Sequence, residues 1–322
     1  MIEITHGRAN PMIDPHLEIW EWQIPGYLFL GGLVAGLMIL NGIWRLSRGT
    51  EQGRACIRTG ALWAPILMSL GMLLLFLDLS YKVHVFRFYT TFQIRSPMSW
   101  GAWILILVYP LQILALALPG GLERFGGILS FLNPIWNLIK SIAGRIPRAV
   151  AVGNIVLGGM LGIYTGVLLS TFAARPLWNT TLLAPLFLVS GMSAASAWNL
   201  LSRPTSSEQH SLLLWDAALL VTEFFFIILI VIGLLTGTEG QIESAKLLLG
   251  GQFTASFWVL VVFIGILLPL WLELRESMKK FAPAWLGPVL VLIGGLALRF
   301  VIVGAGQVSH LPDMELMGMM TP

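Results

Sequence analysis

Tyr164 stands in the run GIYTGVLL, residues 162–169, a phenol among glycines and aliphatics and one of five tyrosines in the chain. A hydroxyl in that setting needs a hydrogen-bond partner that hydrocarbon does not supply. Other groups able to hold or pass a proton sit at the ends of other apolar runs. Asp78 closes LLFLDLS, with Lys82 and His84 just beyond it; Glu21 and Gln23 precede one run; Ser96 and Ser99 lie in SPMSWGAW before another. A second group is deeper and comprises Asp216 and Glu223, while Arg299 stands alone in the last apolar run. Asp216 and Glu223 are seven residues apart, so on a helix they share a face. An acid, a phenol, a histidine and serines near one level suit a lipophilic ligand with two carbonyl or hydroxyl oxygens. One donor holds an oxygen while a titratable group exchanges protons with it. A quinone fits that description.

Plainer roles compete with this one. Asp78 and Lys82 are spaced for a helical salt bridge, Arg299 is placed to neutralise Glu223 or a set of backbone carbonyls, and Tyr164 is a candidate interface-belt tyrosine. The alternative function is an ion or solute transporter using Asp216, Glu223 and Arg299 along a central path. Against it, the polar groups gather at one face and no helix carries a clear Gly/Pro interruption at mid-span. Other chemistry is disfavoured by what is missing. The five histidines are His6, His16, His84, His210 and His310, none in the middle of an apolar run, so a histidine-ligated membrane haem is not expected. The single cysteine, Cys56, supports neither a disulfide nor an iron–sulfur cluster. The basic residues are spread over loops, and no nucleic-acid partner is expected.

The elements that must position these residues are membrane helices. Of 322 residues 57% are hydrophobic and 11% charged, with a mean hydropathy of +0.83, well below the ~25% charge of soluble domains. Eight apolar runs approach the ~20 residues a span needs: about 24–46, 60–79, 98–118, 149–171, 180–201, 212–236, 253–273 and 285–307. Backbone groups in lipid must be satisfied within each segment, which predicts an all-α integral membrane fold with eight transmembrane helices. The loops after the first, third, fifth and seventh spans hold twelve of the nineteen Lys/Arg, against six in the N-terminus and alternate loops. The positive-inside rule then places both termini on the periplasmic side. On that topology Tyr164 lies about 10 Å below the outer surface, at 1.5 Å per residue. Arg299 comes to a similar depth. The first residues lack the basic start and small-residue cleavage site of a signal peptide. Trp20, Trp22, Trp100, Trp178 and Trp285 read as interface anchors.

The longest connection, 119–147, has apolar residues at helical spacing and flanking basic residues, which predicts an interfacial amphipathic helix on the membrane lipid. It divides the chain into a first four-helix bundle (1–118 with 148–171), this cytoplasmic connection (119–147), and a second four-helix bundle (172–322). Faint internal similarity supports two repeats: GGMLGIYTG aligns with GGLALRFVIVG, setting Ile163 against Arg299 and Tyr164 against Phe300.

Five blocks, in this order, resemble the NrfD/polysulfide-reductase membrane-subunit family: WEWQIPGYLFLGGLVAG, LLFLDLS, SPMSWGAWIL, GIYTGVLL with PLWN after it, and LFLVSGMSAA. The resemblance covers nearly the whole chain. It implies two four-helix bundles without haem or iron–sulfur cluster, and a site for a quinone (menaquinone or ubiquinone) in the first bundle near the external face. It implies a ferredoxin-like iron–sulfur subunit docked on the periplasmic face, with a molybdopterin or multihaem catalytic subunit beyond. Such a protein exchanges electrons between the quinone pool and those partners in a respiratory oxidoreductase complex of the bacterial inner membrane, and is not catalytic alone. The family's quinone-bonding tyrosine matches Tyr164 and its aspartate at the end of the second helix matches Asp78. Glu21, His84, Ser99 and Arg299 are carried as further contacts, and Asp216, Glu223 and Arg299 as a proton route through the second bundle. The basic external loop after the second span and the polar N-terminus are the expected docking surface.

Overall fold

Charge and capping residues, more than hydropathy, decide where the helices of this chain begin. The computed structural model describes residues 20–47, 53–79, 81–202, 204–278 and 283–309. Among them, eight helices are long and apolar enough to cross a membrane: α1 Gln23–Ser47, α2 Arg54–Asp78, α3 Pro97–Ala117, α4 Pro147–Ser170, α5 Leu183–Leu201, α6 Ser206–Leu235, α7 Ser256–Ser277 and α8 Leu286–Val308. The all-α, eight-span expectation holds. The polar N-terminal segment expected to help dock a partner lies outside the described residues.

The apolar runs mark only the lipid-embedded part of each helix. α2 starts at Arg54 rather than near residue 60, because the exposed Arg54 and Arg58 carry its first turns out of the apolar zone. α6 starts at Ser206 rather than 212, where Thr205 and Glu208 form a capping box. Glu208 is fully buried and also accepts the Ala55 N–H of α2 at 3.1 Å, so one carboxylate satisfies the starts of two helices. Prolines occupy the first turns of α3 and α4, where no N–H is missed. α7 is π-helical over Ser256–Leu267 and α-helical over Leu268–Ser277, with Pro269 at the joint.

The connection after α3 contains the expected amphipathic helix, Asn133–Arg145. It buries Trp136 and Ala143 against the protein and turns Ile135, Leu138 and Ile142 outward. A helix not anticipated from hydropathy, Glu239–Leu249, follows α6 behind a Thr238–Gln241 capping box.

α1 lies at the centre, packed on α2, α4, α5 and α8; α5 packs on α4, α6 and α8. Their closeness depends on glycine. A Cβ on Gly191 of α5 would stand 2.5 Å from the Gly32 carbonyl oxygen of α1, so the two backbones touch there. Lipid-facing stripes recur at helical spacing, as with Ile66, Leu70, Leu73 and Leu77 of α2, all exposed.

The repeat alignment is out of register by one residue in its burial pattern. Ile163 and Phe300 are both about two-fifths exposed (40% and 41%), whereas Tyr164 and Arg299 are buried. The inward polar residue of α4 therefore corresponds to Arg299 in α8. Letter similarity between apolar segments carries no register; the face that must be desolvated does. The tryptophans also divide. Trp22 and Trp285 are exposed as belt anchors should be, but Trp178 is buried, stacks on Trp20 at 5.1 Å and donates its indole N–H to Ile302 O.

Candidate functional site

α1 and α3 begin, and α2 and α4 end, at the same side of the bundle, and their ends enclose a cavity of about 270 Å³. That is just below the ~300–1,000 Å³ of small-molecule sites, enough for a ring-sized head. Its walls are mostly aliphatic and aromatic: Ile24 and Leu28 of α1, Met72, Leu75 and Phe76 of α2, Met98, Ala102 and Leu105 of α3, Leu168 and Leu169 of α4. The polar groups on it are Tyr27, Tyr164, Asp78 and Tyr89.

Tyr164 is buried, and its hydroxyl is hydrogen-bonded to the hydroxyl of Tyr27, which is also buried. The partner that hydrocarbon could not supply is thus a second phenol, 137 residues away in sequence. Each hydroxyl keeps acceptor capacity and the pair has one proton to spare for a third oxygen. Gly101 of α3 creates the space: a Cβ there would stand 2.8 Å from Cζ of the Tyr164 ring. Trp20, just before α1, also lines the cavity. Its backbone N–H and C=O pair with the Gln307 side-chain amide, both at 3.0 Å, tying the entry of α1 to the end of α8.

Asp78 lines the cavity half-buried, and the Glu21 carboxylate acts on it electrostatically. It makes no ion pair with Lys82 among the described residues, so its carboxylate is not engaged in the salt bridge that the spacing allowed. Glu21 is exposed and accepts a hydrogen bond from Gln23 Nε2 at 3.3 Å. His84 is exposed, 6.3 Å from the Phe86 ring, and does not line the cavity. Ser99 does not line it either. Its hydroxyl accepts the Gln93 N–H at 3.0 Å and donates to Thr91 O at 3.3 Å.

Arg299 lies on the other side of α1, away from the cavity. Its guanidinium donates to Ser190 Oγ and to the carbonyls of Gly295 and Phe187, at 3.2 and 3.0 Å, and sits 4.8 Å over the Phe187 ring. Glu223 faces Ser190 and Arg299. One step further, Asp216 accepts from Ser193 Oγ at 2.6 Å and faces Glu273 of α7. These residues are all buried and form one polar line between α5, α6, α7 and α8. The expectation that hydrogen-bonding residues gather at a single face was therefore incomplete. Glu273 was missed because it falls in LELRES, whose three charges read as the end of a span. Tyr27 was missed although it lies in the quoted block WEWQIPGYLFLGG and meets the same test as Tyr164. Tyr89 carried no sequence signal, since it lies between two apolar runs, in the one-turn helix Arg87–Thr90.

Comparison with known proteins follows the same outline. The family described as "Polysulphide reductase, NrfD" matches residues 11–310. The C subunit of polysulfide reductase from Wolinella succinogenes is 33% identical over 307 residues, 90% of this protein and 94% of that one. Protein NrfD of Escherichia coli is 30% identical over 314 residues, 91% of this protein and 97% of that one. The NrfD homolog of Haemophilus influenzae is 29% identical over 317 residues, 93% of this protein and 97% of that one.

Proposed function

We propose, from the premise that this protein belongs to the polysulphide reductase/NrfD family, that it is the quinone-handling membrane subunit of a respiratory oxidoreductase. It is a multi-pass protein of the bacterial inner membrane, and one relative is by name a lettered component of a reductase. The observation that carries the reading is the Tyr27–Tyr164 hydroxyl pair on the wall of an otherwise apolar cavity. A quinone brings reversible two-electron, two-proton chemistry to such a site. The phenol pair donates a hydrogen bond to one oxygen of the ring and orients it. Asp78, on the same wall and free of Lys82, takes up or releases the proton that the redox change requires. The apolar walls exclude water from the ring and leave a slot for a tail.

The basic external segment 81–96, with Lys82, Arg87 and Arg95, meets an iron–sulfur subunit on the periplasmic side, which passes electrons onward to a molybdopterin or multihaem subunit. Both termini face the periplasm. The buried line Asp216, Glu273, Glu223 and Arg299 is a proton route through the second four helices, since embedded ionisable groups are costly to keep without a use. Purification of the complex in mild detergent tests the reading. Solvent extraction should recover quinone in near-stoichiometric amount with an iron–sulfur protein co-purifying. A lone protein without quinone that conducts ions in vesicles would overturn it in favour of the transporter.

A further inference from the structure

The segment between α2 and α3 has two faces. Inward, Val85 and Tyr89 form part of the cavity wall. Outward, Tyr81, Val83, Phe86, Phe92 and Ile94 are exposed, Val83 by 83%. α3 grips the segment from below. Ser99, 8% exposed, bonds both Gln93 N–H and Thr91 O, and the Trp100 indole N–H donates to Ile94 O at 2.7 Å. The Phe92 ring meets Trp103 edge-on at 5.4 Å. These contacts fix the backbone on the C-terminal side of Tyr89 and so fix where its side chain points.

Three of the five tyrosines, Tyr27, Tyr89 and Tyr164, line the cavity. Tyr27 and Tyr164 satisfy one another. The Tyr89 hydroxyl has no hydrogen-bond partner among the described residues. Burial, and then Tyr109, push its phenol above the ordinary 10.0, so it remains a proton donor at neutral pH. A quinone head has two oxygens, and the Tyr27–Tyr164 pair accounts for one.

We infer that Tyr89 donates a hydrogen bond to the second oxygen of the ring, and that Ser99 is the positioning residue that holds Tyr89 over the cavity. The inference rests on the quinone reading above. It changes the role of Ser99 from a ligand contact to a clamp, and makes a residue of the external segment part of the binding site.

The test uses the assembled complex and two soluble probes, decylubiquinol and 2,3-dimethyl-1,4-naphthoquinol, with partner co-purification as the measure of assembly. Tyr89→Phe should raise KM for the better probe roughly tenfold, the order expected for one hydrogen bond, with a smaller change in kcat. Ser99→Ala should raise KM in the same direction, and Ser99→Thr, which keeps the hydroxyl, should restore it. A merely structural Ser99 would lower the yield of complex without that split. An unchanged KM in Tyr89→Phe, alongside lost turnover in Tyr164→Phe, overturns the inference and leaves the quinone reading standing. Unchanged kinetics in both tyrosine variants overturn the quinone reading itself. If Tyr89→Phe fails to assemble, binding of the naphthoquinol to Tyr89→Leu, which has no side-chain donor, decides, and wild-type affinity there sinks the inference.

Discussion

The hydroxyls of Tyr27 in α1 and Tyr164 in α4 are hydrogen-bonded to each other at the wall of an apolar cavity, both side chains buried. Two phenols that satisfy one another need no water and no charge, which is how the fold keeps polar groups at that depth without a stability cost. They can also turn one donor toward a ligand when it arrives. Tyr164→Phe and Tyr27→Phe should each lower quinone-linked turnover by about 10²-fold or more, in keeping with the loss of a positioned proton-transfer group. Partner co-purification should be unchanged. Full activity in Tyr164→Phe would remove the phenol from the mechanism.

Gly101 is placed to test the geometry without touching either hydroxyl. A Cβ at that position overlaps the Tyr164 ring, so Gly101→Ala must push the ring aside or separate α3 from α4. Turnover should fall toward the Tyr164→Phe level. The double variant with Tyr164→Phe should lose little more, because both changes act on one contact. Additive losses in steady-state assays would show that Gly101 serves only helix packing.

The count and kind of helices were legible in hydropathy, because a span must be apolar wherever it meets lipid. Their ends were not, since Arg54, Thr205 and Glu208 extend helices by capping and solvation that an apolar run does not record. Tyr164 and Asp78 stood out as polar groups beside apolar runs, and both line the cavity. Glu21, His84, Ser99 and Arg299 shared their approximate depth but not their direction, and depth along a helix says nothing about which neighbour a face meets. Arg299 shows this most plainly: it lies over Gly32 on the opposite side of α1 from the tyrosines.

Asp78 separates a structural from a chemical role. With no ion pair to Lys82 among the described residues, Lys82→Ala should leave thermal stability within about 0.5 kcal/mol of wild type, as for ordinary surface changes. Asp78→Asn keeps the shape and removes the titratable proton, so turnover should fall about 10²-fold or more while the melting temperature holds. A large loss of melting temperature in Asp78→Asn, with residual turnover intact, would mark Asp78 as a fold residue.

The buried line in the second four helices makes a different prediction, because its members are not optimal for stability. Asp216 and Glu273 face one another, and neither oxygen of Glu273 meets a donor among the described residues. Buried acids of this kind cost stability, and replacing them with well-packed apolar groups is often neutral or stabilising by ~1–4 kcal/mol. Glu273→Leu should therefore keep or raise the melting temperature of the complex. If the line carries protons, the same change should lower the number of protons moved per electron pair in reconstituted vesicles, and Glu273→Gln should do so with the packing unaltered. Turnover measured with the proton gradient collapsed should change far less, since the quinone cavity lies across α1. An unchanged proton ratio in both variants would leave Arg299, Glu223 and Asp216 as partners that only neutralise one another.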